Sequence, residues 1–96
     1  MNPNPICTRD VVVKLENGLH LRPVSQVFQL AQRFSSEFVI RKGDRAVDGK
    51  SMLDLLTLVA EKGAVLNLEA RGVDAEAAVS AIADLFERNF ETDSQG

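Results

Sequence analysis

The chain's only histidine, His20, lies in the run Asn17-Gly18-Leu19-His20-Leu21-Arg22-Pro23, with a guanidinium two residues further on. A neutral imidazole is a nucleophile that can take up a phosphoryl group and hand it on. A helix beginning just after His20 would place unpartnered backbone N–H groups and a partial positive charge beside the ring, which suits an anion. The planar guanidinium of Arg22 matches phosphate or carboxylate oxygens. A lone histidine in a small domain more often serves the surface or the packing. Here the glycine-containing loop, Arg22 and Pro23 turn the reading toward chemistry. Local zinc sites and catalytic triads are excluded, because there is no second histidine and the one cysteine, Cys7, lies in another segment.

A second candidate is Ser51, followed three residues later by Asp54. This is a shortened capping box, in which the serine oxygen would accept a first-turn N–H and contribute about 1 kcal/mol. Met52 and Leu53 come next. Two neighbours cannot both face the core of one amphipathic helix, so at least one of them is expected at the surface near His20. Cys7, near a strand end, reads as an inert packed thiol. Arg41, Lys42 and Arg45 form a local basic cluster that reads as a solvated hairpin tip, and Glu69 and Arg71 are expected on an open sheet face or edge.

The elements that must position these groups follow from hydrophobic periodicity. Residues 7–15 alternate through Val11, Val13 and Leu15, as a half-buried strand does. Gly18 breaks that strand. From Leu21, the residues Val24, Val27, Phe28, Ala31 and Phe34 recur at helical spacing. Pro23 is compatible with this helix because the first turn needs no N–H from it. Residues 37–42 alternate again, Gly43-Asp44 turns the chain, and residues 45–47 pair back. Ser51 opens a second helix with Met52, Leu55, Leu56 and Val59 on one stripe and Gly63 as its C-cap. Residues 65–70 make a fourth strand. Asp74 caps a third helix carrying Ala78, Val79, Ile82, Phe86 and Phe90 inward. The order is β-α-β-β-α-β-α, an α+β pattern of an antiparallel sheet with helices on one side.

Composition bounds the function. Ninety-six residues support one domain, assigned to residues 6–90, with residues 1–5 as a loose leader and 91–96 as a flexible tail. No apolar run reaches the roughly 18–20 residues that cross a bilayer, so no membrane insertion is expected. The single cysteine fits a reducing cytoplasm. A net charge of −3, with no tryptophan or tyrosine, argues against nucleic acid as a partner.

The string Gly18-Leu19-His20-Leu21-Arg22-Pro23 closely resembles the phosphorylation motif of the HPr family, the histidine-containing phosphocarriers of the bacterial phosphoenolpyruvate-dependent phosphotransferase system. The resemblance spans about residues 6–90 and includes the element order, Lys50-Ser51-Met52-Leu53 at the second helix start, and Gly63 after that helix. It implies an open-faced β-sandwich of four antiparallel strands with three helices on one face. It further implies that His20 is phosphorylated on Nδ1 by Enzyme I and passes the group to an Enzyme IIA-type acceptor. Arg22 would then steady the phosphohistidine, and Gly18, Leu21 and Pro23 would shape the loop and helix start. Met52 and Leu53 would form a docking patch, with Leu53 the better candidate. In some members the serine matching Ser51 is phosphorylated by an HPr kinase. An alternative reading is therefore a regulatory module controlled at Ser51 and read by a regulatory protein. No metal or cofactor is implied, magnesium belonging to Enzyme I, and a monomer is expected.

The chain also departs from the family pattern. Gln29 and Gln32, with Arg33 beside them, occupy a helix face where members often carry lysines. Asp54 stands where many have a neutral or basic residue, and Leu21 is bulkier than the usual threonine or alanine. These departures leave open whether the acceptor belongs to a sugar or a nitrogen-related branch.

Overall fold

The computed structural model describes residues 5–91. Residues 1–4 and 92–96, which include most of the expected leader and tail, lie outside the described residues. The elements run in the expected order: β1 (Ile6–Val12), α1 (Leu21–Ala31), β2 (Glu37–Lys42), β3 (Arg45–Asp48), α2 (Met52–Leu56), β4 (Val65–Arg71) and α3 (Ala75–Glu87). The strands form one antiparallel sheet in the order β1-β4-β2-β3. The last strand in the sequence is thus inserted between the first two.

Register follows the period-2 patterning. Val11 lies opposite Leu66, and Leu68 lies opposite Ile40. All four are buried, so one sheet face makes the core. The helices cover that face with Val24, Val27 and Ala31 from α1, Leu55 from α2, and Ala78, Val79, Ile82 and Phe86 from α3. The other face stays open and polar. There Asn67 Nδ2 donates to Asp10 at 2.9 Å, and Arg41 pairs with Glu69 at 2.6 Å. Glu69 therefore lies on the open face, as its alternation with Leu68 predicts.

Five expectations about these elements need correction. The first strand ends at Val12 rather than residue 15, although Val13 is buried; its carbonyl accepts from Gly63 N–H at 2.7 Å and its N–H donates to Ala64. α1 ends at Ala31 with Gln32 as C-cap, and Phe34 packs against the core from the following loop. α2 is only five residues long. Leu56 and Val59, expected on its buried stripe, are 46% and 66% exposed, and Gly63 belongs to a later turn instead of capping the helix. The cause lies at Thr57, whose N–H and hydroxyl both bond the Asp54 carbonyl; the next amide, Leu58, bonds the Leu55 carbonyl, and the helix closes in i→i+3 bonds.

Asp74 occupies the N-cap position of α3, but its carboxylate does not cap the helix. It accepts instead from the Ser35 and Ser36 backbone N–H groups, both at 2.9 Å, and from both serine hydroxyls. The Ser36 hydroxyl first, and then the Ser35 amide, hold the Asp74 carboxyl down from its ordinary 3.8 to about 2. This clamp ties the α1–β2 loop to the start of α3. At the other end of α3, Asn89 and Phe90 take positive φ of 54° and 62°. Left-handed backbone costs a non-glycine residue roughly 1–2 kcal/mol. Burying Phe90 against Phe86, ring centroids 4.8 Å apart, contributes about 1.5–3 kcal/mol and offsets much of that cost.

Candidate functional site

His20 is the last residue before α1. Its backbone is extended, with φ −123° and ψ −168°, so it stands at the N-cap with its carbonyl accepting from Val24 N–H at 3.0 Å. Its side chain makes no capping hydrogen bond and is exposed. The two amides that follow, of Leu21 and Arg22, belong to the first turn. Among the described residues neither donates to another backbone carbonyl. Ring and amides are therefore both accessible at a positively polarised helix start. Arg22 is exposed and forms no ion pair among the described residues, while Pro23 is buried and seats the turn.

The loop before His20 is held from behind. Leu19 N–H donates to the Ala60 carbonyl at 2.8 Å, and Gly18 N–H donates to Leu15 at 2.9 Å. Gly18 takes φ +70°, and a Cβ built there would meet the Ala60 oxygen at 2.4 Å. No side chain fits that close backbone approach, and the left-handed φ also favours glycine. The sequence marked Gly18 as a strand breaker. It carried no sign that residue 60 would be the partner.

Ser51 is the N-cap of α2, and its hydroxyl accepts from Asp54 N–H at 3.2 Å. The reciprocal half of the expected capping box is absent. The Asp54 carboxylate reaches back past Ser51 and accepts from Asp48 N–H at 3.2 Å. Of the adjacent pair, Met52 is partly buried against the core and Leu53 is 77% exposed. α1 and α2 pack against each other, and the segment after α2 supplies Ala60 to the His20 loop. The residue before Ser51, Lys50, bonds Gln32 and Phe34 at the C-terminal end of α1, so the start of α2 lies away from His20 and only the segment after α2 reaches the His20 loop. Surface hollows of about 380 Å³ and 240 Å³ are lined by other residues. The ring of His20 thus stands on an exposed surface, a geometry suited to exchange between proteins. Among the described residues no group of three His, Cys, Asp or Glu side chains could hold a metal ion. No helix among them is long and apolar enough to cross a membrane.

An exposed imidazole at an open helix start, on an α+β sandwich with a bare sheet face, has clear counterparts among known proteins. Residues 7–88 match the family described as PTS HPr component phosphorylation site. The phosphocarrier protein HPr of Borreliella burgdorferi is 39% identical over 79 residues, covering 82% of this chain and 92% of that protein. The HPr of Neisseria meningitidis is 40% identical over 81 residues, covering 84% and 89%. The crystal structure of an HPr from Thermoanaerobacter tengcongensis superposes with a TM-score of 0.85 at 33% identity, covering 92% of this chain and 99% of that one. The chain belongs to the HPr family, and its role is that of a phosphocarrier in the phosphoenolpyruvate-dependent phosphotransferase system.

Proposed function

We propose that His20 is the residue that carries the phosphoryl group, receiving it from phosphorylated Enzyme I and passing it to an Enzyme IIA-type acceptor. A ring nitrogen, Nδ1 by family likeness, bonds to phosphorus as the donor's bond to phosphorus breaks, and the step reverses at the acceptor. The amides of Leu21 and Arg22 and the Arg22 guanidinium take the phosphoryl oxygens, and the partner protein encloses the group during transfer. The observation that carries this reading is the exposed imidazole beside two free first-turn amides. Gly18, Leu21 and Pro23 set the helix start, and Leu53, with Met52 behind it, forms the docking surface. We place the protein in the cytoplasm as a monomer.

Incubation with Enzyme I and labelled phosphoenolpyruvate tests the reading. Acid-labile label appears on the wild-type chain and is absent from His20→Ala with the fold intact by circular dichroism. Equal labelling of both proteins would overturn it. Ser51 we read as a cap. Its oxygen is already an acceptor for Asp54 N–H, and a phosphate there would stand beside the acidic Asp54. Acid-stable label from ATP and an HPr kinase would revive the regulatory alternative.

A further inference from the structure

We infer that the hollow between α1 and the end of α3 is a docking site, separate from His20, for an acidic peptide segment of a partner protein. Two guanidinium groups, an apolar floor and unpaired amide oxygens recognise that segment.

The hollow measures about 240 Å³ and is lined by Gln26, Gln29, Leu30, Arg33, Leu85 and Arg88. Gln26, Gln29 and Leu30 share one side of α1, and Arg33 continues it just past the helix end. Leu85 is buried and Leu30 partly so, which gives the hollow an apolar floor. Arg33 and Arg88 are exposed at its rim. No carboxylate lines it, since Asp84, Glu87 and Glu91 all stand outside. Arg33 has no ion-pair partner among the described residues. Arg88 pairs with Asp84 at 2.9 Å, but both side chains are about half exposed, and a pair of that kind is weak enough to exchange.

Two observations choose the occupant. The guanidinium groups select a carboxylate, which accepts paired N–H bonds from arginine. The amide oxygens select N–H donors. Gln26 Nε2 donates to the Phe90 carbonyl at 3.5 Å, while Gln26 Oε1 is buried with no hydrogen-bond partner. Asn89 Oδ1, in the residue after Arg88, is in the same state. A buried acceptor without a donor is destabilising, so an occupant that brings N–H groups relieves it. Inorganic phosphate and simple organic acids supply the anion without those donors. A polypeptide supplies both, with backbone amides beside an aspartate or glutamate and an aliphatic neighbour for Leu30 and Leu85. The hollow is smaller than the pockets that enclose a free ligand, so it seats an anchor residue of a longer segment. It runs along α1 away from the His20 end, so a segment held there leaves the imidazole uncovered.

The test titrates the isotope-labelled full chain with an acetylated, amidated peptide of sequence Gly-Leu-Glu-Glu-Gly and follows backbone amides by NMR. Saturating shifts are expected at Gln26, Gln29, Leu30, Arg33 and Arg88, and none with the same peptide carrying lysine in place of glutamate. Arg33→Gln/Arg88→Gln is expected to weaken binding about tenfold. Acetate and inorganic phosphate are expected to bind about tenfold more weakly than the peptide. Labelling of His20 by Enzyme I should run at an unchanged rate with the peptide bound. Absence of shifts, equal shifts with the lysine peptide, or unchanged binding by the double variant overturns the inference. Free glutamate binding as tightly as the peptide would assign the hollow to a metabolite and overturn it as well. Shifts of the same amides in Asp93→Asn without peptide would give the hollow to the chain's own acidic end, with the same consequence. Slowed labelling of His20 would make the hollow part of the transfer face and overturn a separate site.

Discussion

The starts of α1 and α2 are built to opposite specifications. At α2, Ser51 accepts a first-turn N–H, and Asp54 adds a carboxylate at the positive end of the helix. At α1, the N-cap is His20, whose side chain accepts nothing, and no acidic residue stands in the first turn. Histidine is not among the strong capping residues, so α1 gives up about 1 kcal/mol that a serine or aspartate would supply. That lost stability leaves free the amides and partial charge that a phosphoryl group needs. A helix entrance left open where its neighbour is closed fits the proposed seat of the phosphoryl group at His20. The start of α3 is used differently again: it too lacks a side-chain cap, but Asp74 turns its carboxylate to Ser35 and Ser36 and locks two segments together.

The contrast can be broken outright by closing the α1 entrance. His20→Asp is expected to abolish labelling by Enzyme I completely. It should also raise stability by about 0.5–1 kcal/mol in urea titration, because an aspartate at the N-cap supplies the missing acceptor and a favourable charge. Loss of both stability and labelling would show that the histidine serves the fold instead.

Gly18→Ala attacks the same entrance from behind. A Cβ placed 2.4 Å from the Ala60 oxygen, at φ +70°, is expected to cost roughly 1–3 kcal/mol and to slow phosphoryl acceptance. Opening the other entrance is milder. Ser51→Ala should lower stability by about 1 kcal/mol and leave the rate of His20 labelling unchanged. A labelling rate that fell with stability would join the two helix starts into one functional unit.

The third entrance gives a pH signature. The folded carboxyl of Asp74 titrates near 2, below its ordinary 3.8, so the unfolded chain takes up this proton first as pH falls. The clamp's contribution is therefore fully present above about pH 4 and disappears as pH drops toward 2. Thermal unfolding between pH 4 and pH 2 should show this acid limb in the wild type and a shallower one in Asp74→Asn. The smallest effect is expected on the open sheet face. Arg41→Ala removes a half-exposed pair with Glu69 and should change stability by at most about 1 kcal/mol, with transfer unaffected.

Much of the molecule was legible from residue spacing. Strict alternation around Leu66, Leu68 and Ala70 announced a sheet with one wet face, and the helical recurrence of Val24, Val27 and Ala31 placed α1 directly after His20. The errors gathered where an apolar stripe continued beyond its helix. Leu56 and Val59 fitted the periodicity of Met52 and Leu55, and nothing local distinguished packing from exposure. α2 closes at Thr57 in local i→i+3 bonds, and the chain beyond it runs so that the Ala60 carbonyl meets the Leu19 amide, some 40 residues earlier in the chain. That pairing cannot be inferred from either segment alone.

Local patterns by themselves determined the element order, the two-layer architecture and the imidazole at a helix start, because hydrophobic period and helix-start chemistry act over only a few neighbouring residues. Tertiary structure decided which leucines reach solvent, why Gly18 admits no side chain, and that Asp74 grips Ser35 and Ser36, 39 and 38 residues away. These outcomes depend on which distant segments meet, and no nearest-neighbour preference carries that information.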